Sequence, residues 1–189
     1  MQTMSAEQNV LKIVITGPES SGKTTLAVQL AEALGVPCVP EFARSYVAHL
    51  GRPYQREDLK RIALGQQLWE DWFTQRSLNQ SIYPANLLVC DTDWTVIYVW
   101  EQYKYGAALL PAHPLTLSPF SPAHSTLYLL CAPDMDWQHD PLREHPVERD
   151  ALFQQYDDLL KSIPANYHIL RGTELQRLKT ALYLVQKYC

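Results

Sequence analysis

Five short runs along the chain are apolar at nearly every position: Leu11 to Ile15, Val36 to Val39, Leu87 to Cys90, Thr126 to Cys131 and Tyr167 to Leu170. Continuous rather than alternating apolarity predicts strands covered on both faces, the pattern of a parallel sheet. The intervening stretches suit right-handed crossover helices. One such helix is predicted from Glu57 to Ser77, where Leu59, Ile62, Ala63, Gln66, Leu68, Trp69 and Phe73 give an irregular apolar face. In that setting Trp69 and Trp72 read as packing residues. A second is predicted from Thr95 to Tyr105, stopped by Gly106. The last follows Thr173 as N-cap, with Gln176 three residues on and Leu178, Ala181, Leu182 and Val185 on one side. Prolines at 111, 114, 119 and 122 break any helix there and predict an extended loop before the fourth strand. The expected product is a doubly wound α/β domain over residues 10–189, preceded by a polar tail, residues 1–9.

The turn after the first run changes the picture from fold to chemistry. Gly17-Pro18-Glu19-Ser20-Ser21-Gly22-Lys23-Thr24-Thr25 has the spacing of a phosphate-binding loop, and the helical pattern Leu26-Ala27-Val28-Gln29-Leu30-Ala31 follows it. Gly17 and Gly22 let the backbone curl so that successive N–H groups, from Glu19 to Thr25, point at an anion at a helix N-terminus. Lys23 reaches the β and γ phosphates and Thr24 offers a hydroxyl to Mg²⁺, which makes a nucleoside triphosphate with Mg²⁺ the expected ligand.

Composition narrows the classes. With 189 residues the chain has room for one substantial core, and 47% hydrophobic with 19% charged residues is ordinary globular usage. A net charge of −4 provides no broad attraction for nucleic acid or an anionic membrane, so small molecules are the expected partners. The polar start lacks a signal-peptide core and no run is long enough to span a bilayer, which predicts a cytoplasmic location. Cys38, Cys90, Cys131 and Cys189 are widely separated, and the six histidines form no i, i+4 pair, so neither a disulfide framework nor structural zinc is expected.

Charged residues cluster after the predicted strands. Asp91, at the end of the third run, is the first choice for holding Mg²⁺, while Asp93 suits helix capping and substrate contact equally. After the second run, Glu41 is placed to accept a proton from a substrate hydroxyl and Arg44 to hold an anion. A surface role for both fits the spacing as well. The segment from Asp134 to Arg149 reads as a lid, with Arg143 and Arg149 set to neutralise a migrating phosphoryl group. Arg171 and Gly172, after the fifth run, mark the expected adenine loop. A guanine-reading Asn-Lys-x-Asp segment does not occur, which argues against a GTP switch.

The motifs GPESSGKTTLA (17–27), PEFARSY (40–46), EDLKRIALGQ (57–66), DTDWTV (91–96), the segment from Trp137 to Arg149 and ILRGT (169–173) resemble, in order, the ribosylnicotinamide kinase domain of NadR proteins. The resemblance implies a P-loop nucleoside-kinase-like three-layer fold with a five-stranded parallel sheet and a lid. It implies ATP-dependent phosphorylation of the 5′-hydroxyl of nicotinamide riboside. The adenylyltransferase and DNA-binding parts of long NadR proteins are not expected in this chain. A cationic pyridinium ring calls for aromatic faces. Phe42, Tyr46, Trp94 and Trp137 are the expected sandwich, with Asp93 at the ribose or near the ring. Glu41 is the leading base, and Asp91 and Asp93 are its rivals. A kinase for another nucleoside, or a regulatory nucleotide-binding module, remains the alternative.

Overall fold

The computed structural model describes residues 10–79, 86–106, 126–140 and 147–189. Strands β1 (Leu11–Thr16), β2 (Cys38–Val39), β3 (Leu87–Asp91), β4 (Thr126–Cys131) and β5 (Asn166–Leu170) form one sheet in the order β2-β3-β1-β4-β5, with every pair parallel. Helices α1 (Lys23–Leu34), α2 (Phe42–His49), α3 (Arg56–Asn79), α4 (Trp94–Tyr105), α5 (Arg149–Ser162) and α6 (Glu174–Tyr188) complete the α/β fold. All five predicted runs became strands. The second is shorter than expected, because Pro37 has no N–H for the ladder, although its carbonyl still accepts from Val89 N at 3.2 Å.

The uninterrupted apolarity is resolved by the pleat, which sends alternate residues to two separate cores. Ile13, Ile15, Val89, Leu127 and Leu129 meet Leu26, Leu30, Ala181 and Val185 of α1 and α6. Val14, Leu88, Cys90, Tyr128 and Leu130 face the other way, onto Trp94 and Val99 of α4 and Leu152, Tyr156 and Leu160 of α5. A smaller cluster of Ala43, Leu59, Ile62 and Ile97 binds α2, α3 and α4 together. These layers make three.

Helix boundaries follow local chemistry. Gly106 stops α4 in the left-handed conformation, at φ 74°. Thr173 and Gln176 form the reciprocal capping box that starts α6. The proline loop from 111 to 122 lies outside the described residues. In this order β1 sits between β3 and β4, so the chain reverses direction across the sheet there, and the crevice opens at the carboxyl ends of β1 and β3.

Candidate active site

The loop after β1 is shaped by what surrounds it. Gly17 has φ 135°, and a Cβ there would lie 2.6 Å from the Cys131 carbonyl, so β4 leaves room for glycine alone. Gly22 is the left-handed N-cap of α1, and Ser20 is also left-handed, at φ 54°. Alternation of this kind turns consecutive N–H groups inward. Lys23 Nζ and Ser21 Oγ both donate to the Pro18 carbonyl at 2.7 Å.

Asp91 closes β3 beside this loop and is 4% exposed. Burial pushes its carboxyl up, and the Thr24 hydroxyl and Lys23 oppose the shift. Its Oδ1 is buried with no hydrogen-bond partner. An orphaned carboxylate oxygen next to a threonine hydroxyl suits a hard cation, and Mg²⁺ needs only one or two protein ligands when phosphates supply the rest. Among the described residues no cluster of three His, Cys, Asp or Glu forms a metal site. Next to it Thr92 holds φ 71°, a strained setting for a β-branched residue, and its N–H donates to Ile15 O at 2.9 Å.

Glu41 is the N-cap residue of α2, yet its side chain makes no capping bond and lines the cleft. Burial raises its pKa, with Lys23 opposing and Asp91 adding to the rise. Arg44, one turn into α2, also lines the cleft and donates to Asp140 at 3.0 Å, joining α2 to the segment after β4.

That segment crosses the phosphate loop. Gln138 N donates to Ser20 Oγ at 2.8 Å, and Met135, Asp136 and Gln138 line the cleft. Arg149 is the first residue of α5, and its Nη2 donates to the Pro133 and Met135 carbonyls at 2.7 Å each, pinning both ends of the segment. Arg143 lies outside the described residues.

The structure brings Gly17, Glu19, Ser20, Ser21, Gly22, Lys23, Thr24, Thr25, Glu41 and Arg44 to one cleft of about 240 Å³. Other expected residues stand elsewhere. Asp93 is fully buried, its Oδ1 accepting from Thr95 N and Thr95 Oγ1 at 2.9 and 2.6 Å and its Oδ2 from Tyr128 at 3.0 Å, which is the capping arrangement. Trp94 packs into the core against Tyr98. Phe42 sits edge-on to Trp69 at 5.0 Å, and the Tyr46 hydroxyl donates to Asp58 at 3.0 Å. None of these aromatics, nor Trp137, lines the cleft. Arg171 lies over the Phe153 ring at 5.6 Å, and Gly172 donates its N–H to Asp134 at 2.8 Å, so the loop after β5 is tied to the exit of β4.

Sequence reasoning missed the rings that do line the cleft, Tyr54, Trp100, Tyr103 and Tyr156. Tyr54 and Trp100 stack at 6.3 Å with an interplanar angle of 25°. The Lys104 ammonium lies 3.8 Å from the centre of the Tyr54 ring. A weak signal existed, since Tyr54 follows Gly51-Arg52-Pro53, a turn sequence placed between two helices.

A cleft with a phosphate loop at one end and carboxylates on neighbouring strand ends, in a sheet of this order, defines a P-loop α/β protein with the fold of nucleoside kinases. The chain belongs to the family described as AAA domain, which it matches over residues 12–177. It is similar to the trifunctional NAD biosynthesis/regulator protein NadR of Salmonella typhimurium, 28% identical over 158 residues. That match covers 80% of this chain and 36% of the relative. A NadR protein in complex with NR superposes with a TM-score of 0.71 at 21% identity, over 95% of this chain and 52% of that one. A deoxyadenosine kinase from M. mycoides with bound dATP gives 0.58 at 10% identity, over 93% and 99%. The chain therefore spans about a third of the curated relative and about half of the NadR structure. No helix among the described residues is long and apolar enough to cross a membrane.

Proposed function

We propose that this protein phosphorylates the 5′-hydroxyl of nicotinamide riboside with ATP, giving nicotinamide mononucleotide. The observation that carries this reading is the Tyr54–Trp100 stack, reached through the same cleft as Lys23 and already holding a cation, Lys104, against one aromatic face. A permanently positive pyridinium ring gains about 0.5–2 kcal/mol from such a face, which an uncharged base does not. The likeness to a NadR protein solved in complex with NR supports this reading.

The residues divide the work. Lys23 leaves the Pro18 carbonyl for the β and γ phosphates, and the loop amides hold the remaining phosphate oxygens. Asp91 and Thr24 would hold Mg²⁺, which neutralises phosphate charge when bound. Glu41 faces the cleft uncommitted to its helix and, with its pKa raised by burial, is a better proton acceptor than an ordinary carboxylate. Arg44 and Arg149 secure the segment that covers the phosphates.

Incubating the protein with ATP, Mg²⁺ and nicotinamide riboside and following the mononucleotide by mass spectrometry tests the proposal, with uridine, cytidine and thymidine as competitors. Turnover of the cationic nucleoside ahead of all three is expected. Preference for an uncharged base would overturn the substrate and leave the kinase.

A further inference from the structure

The bulkiest fully buried side chain among the described residues belongs to an arginine on α6. Arg177 is 1% exposed and spends its donors on three separate loops. Nε donates to the Gly172 carbonyl at 2.9 Å, Nη1 to the Ser21 carbonyl, and Nη2 both to the Ala132 carbonyl at 2.9 Å and to the Asp134 carboxylate. The other Asp134 oxygen accepts from Gly172 N at 2.8 Å, so the carboxylate closes a ring of contacts.

Desolvating a guanidinium is costly, and an aliphatic side chain would fill the same volume without that penalty. What the planar fork adds is geometry, because its donors fix several acceptors at set angles. The acceptor that matters most is Ser21 O. Across a trans peptide the carbonyl and the next N–H point in opposite directions. Holding Ser21 O down on Arg177 therefore turns the Gly22 N–H up, to the side on which the phosphate loop curls. The site of a Cβ on Gly22 lies 3.9 Å from Arg177 Nη1, which places the cation beside that residue.

We propose that Arg177 is a positioning residue for polyphosphate binding. It holds the Ser21–Gly22 peptide in its donor orientation, using the turn after β5 and the exit of β4 as anchor points. The role rests on the nucleotide-binding half of the proposed function and is independent of which nucleoside is phosphorylated.

The test is calorimetric titration of Arg177→Lys, which keeps the charge and loses the fork, with Mg²⁺–ATP and separately with AMP. One charge-assisted hydrogen bond corresponds to about tenfold in affinity, so the ATP dissociation constant should rise about tenfold. AMP, which does not fill the β and γ cradle, should change less than about twofold. General loosening of the fold would weaken both nucleotides alike, and that result, or unchanged ATP affinity, overturns the role. Should Arg177→Lys fail to fold, Asp134→Ala replaces a carboxylate that is 31% exposed and frees the same ring of contacts from the rim. It should weaken ATP more than AMP. Equal affinities in that variant and wild type reject the proposal. Wild-type protein that takes up no ATP at all would instead overturn the nucleotide reading itself.

Discussion

Asp91 illustrates how a single residue trades stability for binding. Its carboxyl is raised by burial, so the folded protein holds that proton more tightly than the unfolded chain does. Stability conferred by the protonated form is present at low pH and is lost as pH rises through the folded pKa. Asp91→Asn is therefore expected to melt at a higher temperature than wild type at neutral pH, with the gap closing as the buffer is acidified. The same variant should need more Mg²⁺ for half-maximal turnover. Thermal melts across pH and a Mg²⁺ titration check the two halves. Glu41→Gln should lower kcat while leaving ATP affinity within about twofold, because the side chain faces the cleft without supporting its helix. Equal losses in both, in steady-state kinetics, would mark it as structural. That Lys23, Thr24 and Asp91 lie close together was legible in the sequence, because each sits at a fixed offset from a strand end. Asp93 was not, since choosing between cap and ligand required knowing that Tyr128 approaches it from β4. Burial lifts the Cys38 and Cys131 thiols to about 11 and raises that of Cys90, which keeps these three protonated.

Among the elements, the turn between α2 and α3 owes its shape to one carboxylate. Asp58, 1% exposed, accepts from Arg52 at 2.7 and 3.0 Å, from Gln55 N at 2.8 Å, from Arg61 at 3.1 Å and from Tyr46 at 3.0 Å. Those donors hold its pKa well below the usual carboxylate range. The turn carries Tyr54, so Asp58→Asn should raise the KM for the nucleoside several-fold while ATP affinity stays close to wild type, as separate titrations of the two substrates would reveal. This element was half legible. Helix α3 follows from its apolar periodicity, whereas α2 was not among the expected helices and the meeting of Tyr54 with Trp100 depends on packing between α2, α3 and α4. Helix α4 is apolar on most sides, so nothing in its spacing separates the ring that lines a cleft from the ring that fills a core. The expected aromatic set drew on the motif segments, and three of its members, Phe42, Tyr46 and Trp94, are occupied with α2, α3 and α4 packing.

At the scale of the molecule, the central strands β1, β3 and β4 were readable from sequence because a strand buried on both faces has no polar face to disguise, whereas the edge strand β5 exposes Asn166 and Ile169. A charged cluster lies under the sheet. Lys12 of β1 donates to Glu70 of α3 at 2.8 Å and lies 3.6 Å from Asp93, while Gln66 donates to Glu70 and accepts from Phe42 N at 2.8 Å. The two carboxylates hold the Lys12 ammonium charged in spite of its burial. Removing Glu70 leaves Lys12 only the more distant Asp93, at 3.6 Å, and Glu70→Leu is expected to lose about 3 kcal/mol of unfolding free energy, measured in urea. A change below about 1 kcal/mol would mean that water reaches the pair. The parallel sheet has one more consequence. The phosphate loop, Glu41 and Asp91 are delivered from the carboxyl edge, and β1 separates that edge from Leu11 by about 20 Å of extended chain. The chain therefore enters β1 on the far rim, opposite the mouth that would receive substrate.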